Sequence, residues 1–117
     1  MAILFLDDDE NRTNQFIKRF SNVEELIAVT TAKEAIEKLS TKDLWDYVFL
    51  DHDLGGKVFV DSNREDCGME VVRWCLVNKP KIDQIIIHTW NEPAGKRMLS
   101  DLQNAGYNAT YSPFGMW

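Results

Sequence analysis

Cysteine is scarce in this chain of 117 residues: there are two, Cys67 and Cys75, and neither sits in a CxxC or CxxH pairing. If both are helical, eight positions at ~1.5 Å per residue separate them by about 12 Å, beyond disulfide reach. They are expected to be reduced, buried thiols without a function. Long apolar runs are also missing. Ala2 to Leu6 and Ile85 to Ile87 fall far below the ~20 residues of a membrane helix, so no membrane partner is expected. Basic residues number 13 against 19 acidic, for a formal net charge of -6. They are scattered, which excludes the basic stripe that long nucleic acid requires. The first ten residues carry no basic n-region and meet acids at Asp7, so neither a secretory signal nor a transit peptide is read, and a cytoplasmic location is expected.

The composition, 44% hydrophobic and 27% charged, excludes a disordered or collagen-like chain and fits one domain over residues 1–117. Such a domain buries roughly two-thirds of its unfolded surface and needs no staple. Ala2 to Leu6 is a short apolar run bounded by acids, as in a strand buried on both faces of a parallel sheet. Thr13, Phe16, Ile17 and Phe20 then repeat at helical spacing. Leu26 to Thr30 predicts a second strand, followed by a helical repeat at Ala32, Ala35, Ile36 and Leu39 with Thr31 as N-cap. Asp46 to Leu50 is a third strand, and residues 55 to 67 form a long loop without periodicity, of a length more often functional than incidental. A third helix runs from about Gly68 to Asn78, stopped by Pro80. Gln84 to His88 is a fourth strand. Asn91-Glu92-Pro93 opens a fourth helix, with Met98, Leu102 and Ala105 inward and Gly106 at its end. Tyr107 to Tyr111 is a fifth strand, with no room for a fifth helix. This alternation predicts an α/β doubly wound parallel sheet with ligands at the carboxyl ends of its strands.

Polar groups gather at those ends: Asp7, Asp8 and Asp9; Asp51, His52 and Asp53; His88, Thr89 and Asn91; Ser112. Each has a structural explanation by itself. Asp8, Asp9 and Glu10 suit a helix N-terminus, Asp51 and Asp53 suit a turn before Gly55-Gly56, and Asn91 suits a cap. Several carboxylates in one crevice, however, repel each other unless a cation or protons relieve them. Both histidines of the chain fall in the set. A cation site or an active site follows.

The segments ILFLDDD, DYVFLDHDLGG, IIIHTWN and SPF together resemble the receiver domain of response regulators across essentially the whole chain. The resemblance implies a flavodoxin-like sheet of order 2-1-3-4-5, magnesium on Asp7 and Asp8, Asp51 as phosphoryl acceptor, and Thr89 as switch hydroxyl. Ser112 stands before Pro113 where receivers place a lysine, the fifth helix is missing, and His52 and His88 replace apolar residues. These departures are similar to the cyclic-phosphate processing branch, on LDDD at Leu6 to Asp9, LDHDLGG at Leu50 to Gly56 and IHTWN at Ile87 to Asn91. That branch implies a phage or bacterial setting and a substrate such as a cyclic nucleotide, a cyclic-phosphate nucleotide or an RNA end.

The expected chemistry is a metal-assisted phosphoesterase. Opening a cyclic phosphate needs a base, an acid and charge stabilisation. His52 and His88 are candidates for the acid–base pair, with Asp51 and Asp53 as further catalytic groups. Asp7, Asp8 and Asp51 are candidate ligands for a divalent metal, Mg²⁺ by ligand type, or Mn²⁺ or Zn²⁺ if the histidines ligate. Thr89, Asn91, Lys96, Arg97 and Ser112 are candidate substrate contacts around the N-terminus of the fourth helix, and Lys57 and Arg64 could close over the site. The alternative is a non-enzymatic receiver-type domain acting through a protein partner, or a module that binds a cyclic nucleotide without turnover. Without a fifth helix, Tyr107, Tyr111, Phe114, Met116 and Trp117 predict an apolar patch on the strand-five side that suits a homodimer.

Overall fold

Five strands alternate with four helices in the computed structural model, which describes residues 1–56 and 59–115. The order is β1 (Ala2–Leu6), α1 (Glu10–Arg19), β2 (Glu25–Val29), α2 (Ala32–Leu39), β3 (Trp45–Leu50), α3 (Gly68–Asn78), β4 (Ile82–Ile87), α4 (Glu92–Asn104) and β5 (Ala109–Tyr111). The sheet has the order β2-β1-β3-β4-β5, with every neighbouring pair parallel. Among the described residues no helix follows β5, and none is long and apolar enough to cross a membrane.

Side-chain alternation along the strands sorts the apolar residues into two unequal cores. Leu4, Leu6, Val48, Leu50, Ile85 and Ile87 point to one face, where they meet Ala35 and Leu39 of α2, Val72 and Cys75 of α3, and Met98 and Leu102 of α4. Ile3, Phe5 and Phe49 point to the other face and pack on Phe16 of α1. The Phe5 and Phe16 rings stack with centroids 4.0 Å apart. One helix therefore covers the second face, and Tyr47, Ile86 and Phe114 are only partly buried there.

Several local expectations shift. Ile17, expected inward, is 42% exposed, because α1 reaches the sheet through the narrower edge bearing Phe16 and Phe20. β4 starts two residues earlier, since Ile82 pairs with Trp45. Tyr107 lies outside β5, its hydroxyl donating to the Pro80 carbonyl at 2.6 Å. Tyr107 and Tyr111 pack with the three-helix face, so of the expected dimer patch only Phe114 lies on the thinly covered face. Met116 and Trp117 lie outside the described residues. Cys67 and Cys75 are free and buried.

Candidate active site

Parallel register turns three separate motifs into one row. Leu6 pairs with Leu50 and Leu50 with Ile87. One step further lie Asp7, Asp51 and His88, still held by ladder bonds: the Asp51 N–H donates to the Leu6 carbonyl at 3.1 Å, and the His88 N–H to the Leu50 carbonyl at 2.9 Å. Alternation fixes their direction. Asp7 follows Ile3 and Phe5, Asp51 follows Tyr47 and Phe49, and His88 follows Ile86, so all three point to the α1 face. Each offers a ligand-type atom within 4.8 Å of the others, and all three are buried.

Arg12, on α1, completes the cluster and was not singled out in the sequence. Its Nε donates to Asp7 Oδ2 at 2.8 Å and its Nη2 to Asp7 Oδ1 at 2.9 Å, a two-pronged charge-assisted pairing. Its guanidinium also lies 3.7 Å from Asp51, 3.8 Å from Asp8 and 3.4 Å from Asp9. The available signal was spacing: Asp9 caps α1 by accepting the Arg12 N–H, so Arg12 rides the first turn above the acids. Asp7 also accepts the Asp9 N–H at 2.8 Å and faces His88 Nε2 at 3.1 Å. Burial opposes its ionisation, but the bonds from His88, Arg12 and Asp9 prevail and hold its pKa at about 2. Asp51 differs. Burial and the neighbouring Asp7 charge push it up to about 7, against the His52 N–H and Arg12. The His88 ring lies flat on Phe5, 4.9 Å between centroids, and burial keeps its pKa low and the imidazole neutral.

These groups open on a cavity of about 360 Å³, lined in part by Asp8, Asp51, Arg12, His88, Thr89 and Asn91, with Phe59 and Trp90 at its mouth. Asp53 also lines it and organises the neighbouring loop. It accepts from the backbone of Phe59 and Val60 at 2.7 and 3.0 Å, and from Asn91 Nδ2 at 3.0 Å. Asp8 takes the Gly56 N–H at 2.6 Å.

The expected histidine pair does not assemble. His52 is one residue beyond Asp51, so alternation turns it to the α3 face, where Gly68 donates its N–H to the His52 carbonyl. The His52 ring is fully buried and lies outside the cavity wall. Its Nδ1 meets Asp53 at 2.7 Å and its Nε2 meets Ser62 Oγ at 2.9 Å. Burial would lower the His52 pKa, but bonds to Cys67 and Asp53 outweigh it and raise it. The ring is a loop anchor. His52→Ala is expected to leave the sheet intact and to speed hydrogen exchange in residues 59–66, at a cost of about 1–3 kcal/mol for the partners left unpaired. Because the folded-state pKa is raised, protection of the loop is complete below the unfolded value of about 6.5 and is lost as pH rises through the folded value. Exchange that is unchanged in the variant and flat with pH would refute the anchor.

Other expectations are also corrected. Lys96 is exposed and pairs with Glu92 at 2.8 Å, and neither Lys96 nor Arg97 lines the cavity. Ser112 continues the row through its N–H to the Ile87 carbonyl but does not line the cavity. Arg64 pairs with Asp66 at 2.7 Å, and Lys57 lies outside the described residues. Thr89 and Asn91 do line the cavity. Thr89 Oγ1 accepts the Asn91 N–H at 3.1 Å, and Asn91 Oδ1 caps α4 by accepting from Ala94.

The donors suit a hard divalent ion only in part. Asp51 Oδ2 and Asp8 Oδ1 carry no hydrogen bond among the described residues and offer hard carboxylate oxygen. Asp7 is saturated. A carboxylate has about four lone-pair positions, and Arg12 (twice), Asp9 and His88 take them. Coordination through His88 Nε2 would put the proton on Nδ1, which is buried without a partner among the described residues, whereas a ligating histidine normally passes its second N–H to an acceptor. His88 therefore fits better as a donor to Asp7.

A parallel 2-1-3-4-5 sheet with acids at the carboxyl ends of β1 and β3 defines a receiver-type domain. Solved structures share the fold. The signal receiver domain of a putative LuxO repressor from Vibrio parahaemolyticus superposes with a TM-score of 0.69 at 15% identity, over 99% of this chain and 79% of that one. An adenylate cyclase from Rhodopirellula baltica gives 0.67 at 19%, over 98% and 78%. The receiver domain of Francisella response regulator 1452 gives 0.65 at 16%, over 98% and 86%. At these identities the likeness is one of fold. Residues 2–104 match the cyclic-phosphate processing receiver domain, and the chain belongs to that family. No curated protein matches it.

Proposed function

We propose that the chain is a phosphoesterase that opens a cyclic phosphate bound in the cavity at the carboxyl ends of β1, β3 and β4. The observation that supports this best is the composition of the wall: a buried carboxyl, Asp51, with an oxygen free of hydrogen bonds among the described residues, beside a guanidinium, Arg12, and the polar groups of Thr89 and Asn91. Water attacks phosphorus, one ring P–O bond breaks, and the Asp51 carboxylate takes the water proton and returns it to the leaving alkoxide, giving a monoester. Asp51, with its pKa near 7, can exchange a proton at neutral pH. Arg12 and the Thr89 hydroxyl are placed to meet the phosphoryl oxygens. Asp7 and His88 hold Arg12 in place. A divalent ion would be held by Asp8 and Asp51, where it would neutralise phosphoryl charge in an otherwise acidic cavity.

Phe59 and Trp90 are 75% and 62% exposed, and both border the cavity. Phe59 holds a left-handed backbone, φ 51°, unusual for a bulky residue, with its N–H on Asp53. Their faces suit a nucleobase. Trp90→Ala is expected to weaken binding of a nucleoside cyclic phosphate by about 1–3 kcal/mol, measured by calorimetry, and to leave a base-free cyclic phosphate unaffected.

The decisive experiment incubates the chain with nucleoside cyclic phosphates, an RNA 2′,3′-cyclic phosphate end and a base-free cyclic phosphate, with Mg²⁺ or with chelator. Mass analysis should show gain of one water. No product under any condition, together with stable labelling of Asp51 by a small phosphodonor, would replace this reading with receiver-type signalling.

A further inference from the structure

We propose that Arg12 is a resident counter-ion competing with divalent metal for Asp7, so that an ion reaches the full acidic cluster only by displacing the guanidinium. The basis is saturation. Asp7 is fully buried, both of its oxygens face Arg12 at 2.8 and 2.9 Å, and the remaining positions are taken by the Asp9 N–H and His88 Nε2. The same guanidinium lies 3.7 Å from Asp51 and 3.8 Å from Asp8, two carboxylates that each keep an oxygen without a hydrogen bond among the described residues. Its position therefore overlaps the one that a divalent ion bridging Asp7, Asp8 and Asp51 would need. Arg12 is the one cationic side chain on the cavity wall among the described residues.

Physical chemistry favours the exchange being graded. Guanidinium is weakly hydrated and matches a carboxylate in two-pronged fashion, whereas Mg²⁺ dehydrates reluctantly and commonly binds through one or two carboxylates. Arg12 is one-third exposed on a flexible stem, so it can swing outward when an ion enters. A lysine would keep the charge and lose the fork. The competition makes metal affinity a property of Arg12 as well as of the acids.

The test is Mn²⁺ binding by titration calorimetry, with melting temperature in chelator and in Mn²⁺ as a second readout. Arg12→Gln should bind Mn²⁺ more tightly than wild type by about tenfold, and Arg12→Lys by less. Adding Asp7→Asn to Arg12→Gln should remove the gain. In chelator, Arg12→Gln should melt below wild type and recover on adding the ion. A variant that folds only with Mn²⁺ present is the same result in stronger form. Equal Mn²⁺ affinity in all chains, no binding in any of them, or a gain that survives Asp7→Asn overturns the proposal. No turnover is measured, so this inference stands or falls separately from the cyclic-phosphate reading.

Discussion

Asp51→Asn is expected to reduce cyclic-phosphate turnover by roughly 10²–10⁴-fold and at the same time to stabilise the fold at neutral and alkaline pH. The two effects have one origin. Asp51 is buried beside ionised Asp7, and its pKa is raised from 3.8 to about 7. A carboxyl whose folded-state pKa is raised favours folding in its protonated form. Its contribution is therefore harmless below the unfolded pKa, becomes destabilising as pH rises from about 4 to about 7, and is constant above that. The penalty is on the order of 4 kcal/mol above pH 7, shared with Asp7 because the two charges interact. Asparagine keeps the acceptor for the His52 N–H, now at 2.8 Å from Asp51 Oδ1, and removes the charge. Urea denaturation in chelator between pH 4 and pH 8 should show variant and wild type converging at the acid end and the variant ahead at the alkaline end. A variant that is less stable at pH 8 would mean that Asp51 is held ionised by Arg12, and the proton-exchange role would go with it.

Gly68→Ala carries the largest expected loss of stability. A Cβ at Gly68 would lie 1.8 Å from the Asp51 carbonyl oxygen and 2.9 Å from the His52 Cα, and these are backbone atoms that cannot turn away. The first turn of α3 sits directly on the end of β3, with the Gly68 N–H bonded to the His52 carbonyl at 2.9 Å. Accommodating the methyl group means moving the helix or the strand end that carries Asp51, at a cost of at least about 3 kcal/mol. Gly95→Ala is the informative contrast. Its Cβ would meet the Tyr111 ring at 2.5 Å and a Thr89 methyl at 3.1 Å, side-chain atoms that can yield. Thermal denaturation should rank wild type above Gly95→Ala, and Gly95→Ala above Gly68→Ala. The reverse order would show that the β3–α3 junction is looser than its geometry implies.

Much of this protein could be read from local pattern. Strand β1 at Ala2–Leu6, helix α3 at Gly68–Asn78 and the caps Thr31 and Asn91 lie where periodicity and capping chemistry put them. Boundaries slipped where pairing decided the matter, as at Ile82, which joins β4 because Trp45 lies opposite. The acids at the strand ends were legible because a buried parallel strand gives way abruptly to polar residues at its carboxyl end. Arg12 was less legible, since a lone arginine on an amphipathic helix has no motif of its own. Its significance comes from the α1 geometry that lays it across Asp7.

The chain by itself determined the alternating α/β order, the short buried strands and the presence of acids and imidazoles at one rim, because each depends on spacing within a segment. Only tertiary structure decided which of those groups meet. Strand register places Asp7, Asp51 and His88 in one row, and the two-residue period of a strand turns His52 to the opposite face from its neighbour Asp51. A single position along a strand is enough to separate two groups that sequence places side by side.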